Sequence, residues 1–181
     1  ITDDPVGLHP TIAVLPMPQT KADGLTSPHT TLSKAFPACY RRLWLFSDEA
    51  AALLPGRICL LDIDVVIMDD FTDLIQRKTA NFVGWCDTVF GWAKIAGGFW
   101  LHTTGTRPDV WEYFDAERSP ALVYAAGMRG SDQAWLSYKL WPCTETISAK
   151  DGILKIGWLK KSGHQPPPGT KMVFTTGVAP P

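Results

Sequence analysis

The chain has 181 residues and a mass of 19.9 kDa, a length that suits one ample α/β domain. Hydrophobic residues make up 45% and charged residues 19%, which excludes a solvated, disordered tail as a description of the whole. Seventeen basic against eighteen acidic side chains leave a net charge of -1, without the basic excess that gripping nucleic acid requires.

The opening Ile1-Thr2-Asp3-Asp4-Pro5 has neither the basic nor the apolar region of a signal peptide and lacks an initiator Met, so the chain reads as processed, trimmed or incomplete. No apolar run approaches the roughly 20 residues of a membrane span. Residues 11–15 (Thr-Ile-Ala-Val-Leu) form a short apolar run, read as a strand that stops at Pro16-Met17-Pro18. Residues 19–38, rich in Ser, Thr and Pro, read as a long surface loop. A helical stretch follows from Tyr40 to Phe46 and on to Leu54, where Pro55-Gly56 breaks it. Ile58-Cys59-Leu60-Leu61 is a continuous apolar run, as expected of a central strand covered on both faces.

That run ends in Asp62-Ile63-Asp64, and apolar character resumes over Val65–Met68. Asp70 then reads as the cap of a helix starting near Phe71, with Asp73 three residues on. Strands are predicted at Asn81–Trp85 and Ile95–Leu101, and a helix over Arg107–Phe114 with Pro108 in its first turn. Another helix begins after Ser131 as cap, and late strands fall at Ile153–Ile156 and Met172–Phe174. Alternating strands and helices without a linker predict a single α/β domain over residues 1–181. The four cysteines (Cys39, Cys59, Cys86, Cys143) have no paired spacing. With Cys59 inside an apolar strand, they suggest reduced thiols and a cytoplasmic location.

Fourteen of the eighteen acidic residues are Asp, and Asp62, Asp64, Asp69, Asp70 and Asp73 fall within twelve positions. Asp disfavours helix and strand interiors, so the cluster points to caps, turns or metal ligands. Asp62 and Asp64, two apart in an extended segment, face the same way. Their mutual repulsion would be relieved by Mg²⁺ or Mn²⁺, which favour hard oxygen ligands and can bridge phosphate oxygens. The alternative is a polar strand end without a ligand. Asp69, Asp70 and Asp73 read as helix-start residues.

The segment from Ile58 to Asp70 resembles the strand and Asp-x-Asp motif of GT-A glycosyltransferases, nearest to the glycogenin-like and bacterial sugar-transferase branches. Further segments resemble that family in the same order. They are Thr2-Asp3, the Tyr40–Phe46 stretch with Arg42 in place of the usual Lys, Phe82–Asp87 followed by Ala96-Gly97-Gly98-Phe99, Ser131-Asp132-Gln133, and the closing Val173–Pro180. The resemblance implies a mixed sheet flanked by helices and metal-dependent transfer of a hexose-like sugar from a nucleotide diphosphate, a UDP-sugar above all. The acceptor would be a hydroxyl of a glycan, lipid or protein.

The resemblance implies a metal on Asp62 and Asp64 and a donor site made of Thr2, Asp3, Arg42, Asp62, Ile63, Asp64, Asp87, Gly97 and Gly98. It implies a catalytic Asp132 near the acceptor. Carboxylates suit sugar hydroxyls, and glycine permits close backbone approach. Against these stand a turn for Asp87, a bulge for Gly97-Gly98 and a helix start for Asp132. The sequence departs from the family twice. Thr176 stands where a third metal ligand, a His, is usual, with His164 as a replacement candidate. The chain also starts at the Thr-Asp position, so the strand-helix unit that precedes it in the family is expected to be missing.

Two other readings fit parts of the chain. Four apolar residues followed by Asp62-Ile63-Asp64 resemble the first motif of haloacid-dehalogenase-type phosphohydrolases, with Asp62 as nucleophile and Asp64 as acid and base. No later acidic pair completes that pattern. Eight tryptophans suit a non-catalytic, carbohydrate-binding remnant, with Trp92 the best ligand-facing candidate. Trp44, Trp100, Trp111 and Trp135 sit in apolar patterns and read as core.

Overall fold

The structure, a computed structural model, describes residues 6–16, 18–27, 36–37, 39–86, 93–159, 163 and 165–175. Strands β1 (Thr26–Ser27) and β2 (Phe36–Pro37) pair ahead of a 3₁₀ helix, Cys39–Phe46, and α1 (Asp48–Leu53). Next come β3 (Arg57–Leu61), β4 (Val65–Ile67), α2 (Thr72–Arg77), β5 (Phe82–Trp85) and β6 (Ala96–Thr103). Helices α3 (Asp109–Glu112), α4 (Ser119–Ala125) and α5 (Asp132–Leu140) follow. The described elements end with β7 (Glu145–Ile147), β8 (Ile153–Lys155), α6 (Ile156–Leu159) and β9 (Met172–Phe174).

Two mixed sheets carry the site. The four-stranded sheet runs β3-β6-β5-β7, antiparallel except for β5 and β7. The three-stranded sheet runs β4-β9-β8, with β8 and β9 parallel. Alternation along β6 builds a core on each face of the larger sheet. Trp100 points to the helical side, among Tyr40, Leu43, Phe46, Trp135 and Leu136. Phe99 and Leu101 point the other way, onto Leu74, Ile153, Met172 and Phe174. The architecture is mixed α/β with helices flanking mixed sheets, the class predicted from the sequence.

Trp44, Trp100 and Trp135 are buried as expected, and Trp111 packs partly buried beside them. Ser47, unanticipated as a cap, accepts a hydrogen bond from the Ala50 N–H at 3.0 Å and starts α1. Among the described residues no helix is long and apolar enough to cross a membrane.

Several expectations are corrected. Residues 11–15 form no strand; Ile12 and Val14 are 50% and 41% exposed, without a pairing partner in either sheet. β3 is an edge strand, half-buried at every position, where a covered central strand was predicted. Its outer edge, without a paired strand among the described residues, borders a cavity of about 520 Å³ lined in part by Leu45, Leu54, Ile58 and Leu60.

Pro108 sits at the cap position of α3, one residue before the helix. Ser131 precedes α5, but its hydroxyl makes no capping bond; it accepts from the Cys39 N–H at 3.2 Å and contacts Asp132. The residue before α2 is Phe71, yet Asp70 still serves the helix start, accepting from the Thr72 N–H at 2.9 Å. Asp73 pairs with Lys171, so both keep structural roles.

Candidate functional site

The Asp62-Ile63-Asp64 motif lies in no strand. It is the bend by which the chain leaves β3, in the larger sheet, and enters β4, in the smaller one. Backbone bonds hold it at both ends. The Asp62 N–H donates to the Gly98 carbonyl at 2.9 Å, and the Asp64 carbonyl accepts from the Thr175 N–H at 2.8 Å and the Thr175 hydroxyl at 3.0 Å. Ile63 between them is fully exposed, at 104%.

Three segments distant in sequence converge on Asp62. The Arg42 guanidinium, from the 3₁₀ helix, pairs with the Asp62 carboxylate through Nη1 and with Asp132 Oδ2 through Nη2 at 2.9 Å. Nη1 also donates to the Gly97 carbonyl at 3.2 Å. Gly97 and Gly98 follow Ala96 at the start of β6, against this cluster. A Cβ on Gly97 would meet Arg42 Nη2 at 3.1 Å, and one on Gly98 would meet Asp62 Oδ2 at 3.1 Å. Absent side chains at these two positions make room for the ion-pair cluster.

Electrostatics explain the order of the cluster. Burial opposes the charge of Arg42, but Asp132 and then Asp62 outweigh it, so the guanidinium is held protonated more firmly than a free arginine. Burial pushes the Asp62 carboxyl above the usual range; Arg42 works against this, while Asp132 and Asp64 reinforce it. The Asp132 side chain is 3% exposed. It lies against Arg42, with almost no exposed surface.

The cluster therefore sets three carboxylates, Asp62, Asp64 and Asp132, against one guanidinium. Carboxylate oxygens are of the hard kind that Mg²⁺ and Mn²⁺ favour, and those of Asp62 and Asp64 are the ones with exposed surface. Arg42 occupies Asp62 Oδ1, leaving Oδ2 over Gly98. The half-buried Asp64 carboxylate has no hydrogen bond or ion pair among the described residues. Two carboxylates suffice for Mg²⁺, which completes its shell with water and substrate phosphates. Among the described residues no three His, Cys, Asp or Glu side chains form a ligand group.

Of the residues singled out in the sequence, Arg42, Asp62, Ile63, Asp64, Gly97, Gly98 and Asp132 come together here. Thr2, Asp3, Asp87, Trp92, His164 and Thr176 lie outside the described residues. Thr175, which ties β9 to the motif, was not singled out as a site residue, although it lies within the closing Val173–Pro180 segment. The Gly98→Ala variant tests how close the packing is. The new methyl would meet both Asp62 Oδ2 and the Phe174 ring at 3.1 Å. A loss of about 1–3 kcal/mol in urea unfolding is expected, and a value within experimental error of zero would show the carboxylate free to move aside.

No protein-family model and no curated protein matches the chain. Solved structures similar to it include a glycosyltransferase involved in the glycosylation of the major capsid of PBCV-1. That likeness has 14% identity over 77% of this chain and 70% of the other, with a TM-score of 0.48. The glycosyltransferase GlyE of Streptococcus pneumoniae TIGR4 is similar at 15% identity over 75% of this chain, with a TM-score of 0.47. The match spans 36% of the GlyE chain.

Proposed function

We propose that the chain is a GT-A-type glycosyltransferase domain, of the glycogenin-like or bacterial sugar-transferase kind, spanning residues 1–181. It transfers a sugar from a nucleotide diphosphate, a UDP-sugar first, to a hydroxyl of a glycan, lipid or protein. The observation that carries this reading is the convergence of Arg42, Gly97-Gly98 and Asp132 on the Asp62–Asp64 bend. Those segments were picked out by their resemblance to family motifs in the same order, and residues as far apart as Arg42 and Asp132 meet within 2.9 Å.

Asp62 and Asp64 would hold Mn²⁺ or Mg²⁺, which when bound supplies Lewis-acid stabilisation of the departing diphosphate. Arg42 orients Asp62 through Nη1 and is itself fixed by Asp132 and the Gly97 carbonyl. Asp132 is then a positioning residue in place of one that touches the acceptor. The exposed Ile63 side chain offers apolar contact next to the charged site. Gly98, with no side chain, leaves Asp62 Oδ2 unobstructed toward the ligand.

The test is thermal unfolding with UDP, with and without Mn²⁺, on the intact chain and on Asp64→Ala. At a ligand excess of about 100 Kd the intact chain gains about 5–10 °C with UDP and Mn²⁺ together, and Asp64→Ala gains none. An unmoved melting temperature in the intact chain rejects the donor site.

A further inference from the structure

We propose that the outer edge of β3 is a strand-docking surface whose occupant is the chain's own segment 11–15, a strap that adds a strand to the larger sheet. β3 pairs with β6 on one side and with no strand among the described residues on the other. The Asp62 N–H donates to the Gly98 carbonyl, and the Gly56 carbonyl accepts from the Thr104 N–H. Antiparallel bonding alternates along a strand, so the even-numbered residues of β3 bond to β6. The N–H and C=O groups of Arg57, Cys59 and Leu61 therefore point to the outer edge. Such a row of unpaired backbone groups is a template for a further strand.

The edge also has an apolar floor. Ile58 and Leu60 face the helical side, and with Leu45 and Leu54 they line the cavity of about 520 Å³. A strand bonded to Arg57, Cys59 and Leu61 would set alternate side chains over that cavity.

Residues 11–15 fit in length, pattern and position. Their five residues, Thr-Ile-Ala-Val-Leu, match the five of β3. With Ala13 opposite Cys59, Ile12 and Val14 fall on the face of Ile58 and Leu60, whichever way the strand runs. In the structure both side chains are exposed, and the segment pairs with neither sheet. A solvent-exposed turn holds its start: His9 Nδ1 accepts from the Thr11 N–H at 3.3 Å, and the His9 carbonyl accepts from the Ile12 N–H at 2.9 Å. Water can replace those bonds, so releasing the turn costs little.

Leu15 precedes Pro16, which favours an extended backbone. Pro18 and Thr20, a few positions on, already line the cavity, and Arg41 Nη2 holds the Pro18 carbonyl at 3.1 Å. This tether keeps the segment at a high effective concentration beside β3, which favours the chain's own strap over that of a second copy. Arg42 lines the same cavity, so docking also covers the flank of the Arg42–Asp62 pair.

Amide hydrogen exchange on the full chain, read residue by residue by NMR, tests this. The Cys59 and Leu61 amides are expected to be protected in the wild type. In Ile12→Asp/Val14→Asp, which alters exposed side chains, they should exchange about tenfold faster or more. The Ile58 and Leu60 amides, bonded to β6, should keep their rates and report an intact fold. Exchange at free-chain rates at Cys59 and Leu61 in the wild type overturns the proposal, and so does equal protection in the variant. Protection that falls on dilution would assign the edge to a second copy and overturn the chain's own strap. Should the variant lose protection at Ile58 and Leu60 as well, the wild-type rates and their dilution series decide alone.

Discussion

Replacing Arg42 with methionine lowers stability by about 3–5 kcal/mol, because Asp132 is left as a buried charge without its partner. For a chain of this length that is a fall of about 10 °C in melting temperature. The apolar part of the side chain is kept, so the loss reports the guanidinium. Arg42→Lys falls between, since a single ammonium cannot reach Asp62, Asp132 and the Gly97 carbonyl together. Asp132→Asn in the Arg42→Met background recovers part of the loss, because it removes the stranded charge. Urea unfolding of the four proteins measures this. An Arg42→Met value within about 1 kcal/mol of wild type, the range of exposed ion pairs, would sink the idea that this cluster is a buried framework.

Acid weakens the fold through His102. The ring is fully buried on β6, 4.1 Å from the Phe46 ring between centroids, and neither nitrogen has a hydrogen-bond partner among the described residues. Burial pulls its pKa from 6.5 to about 4; the Asn81 backbone acts against this, and Arg107 and Arg57 add to the lowering. In the unfolded chain the ring protonates first. Its contribution to stability is therefore complete above pH 6.5 and is lost as pH falls from there to about 4. The loss amounts to about 3 kcal/mol.

His102→Leu, which cannot protonate, should lose clearly less stability than the wild type over that window. Asp109, held at about 2 chiefly by its hydrogen bond from Arg107, contributes only at lower pH. Urea midpoints at pH 7, 5.5 and 4 make the comparison. Parallel pH profiles in the two proteins would remove His102 as the cause.

The legible part of this protein was the part written locally. The apolar run of β6 reported its own burial; Asp62-Ile63-Asp64 stood out because paired carboxylates are unusual beside an apolar strand, and Gly97-Gly98 stood out through the family resemblance. What stayed hidden depends on neighbours supplied by distant chain. The apolar pattern of β3 speaks about its two faces and carries no information about who sits in the plane of the sheet, so its place at the edge went unforeseen. Apolar residues 11–15 illustrate the converse, strand composition without a strand to pair with. The roles of Ser131 and Asp132 turned on Cys39 and Arg42, far away in sequence.

The bend at Asp62–Asp64 is the seam between two sheets. The Asp62 backbone N–H is anchored to the Gly98 carbonyl of β6, and the Asp64 backbone carbonyl is anchored by Thr175 just past β9. A ligand gripped by both carboxylates therefore acts as a rivet across that seam. By linkage, the free energy of ligand binding resists separation of the smaller sheet from the larger. Amide exchange at Thr175 and along β9 should slow when the carboxylates are occupied, although those amides touch no ligand. Occupancy of the site would thus be felt as rigidity in a strand more than a hundred residues further along the chain.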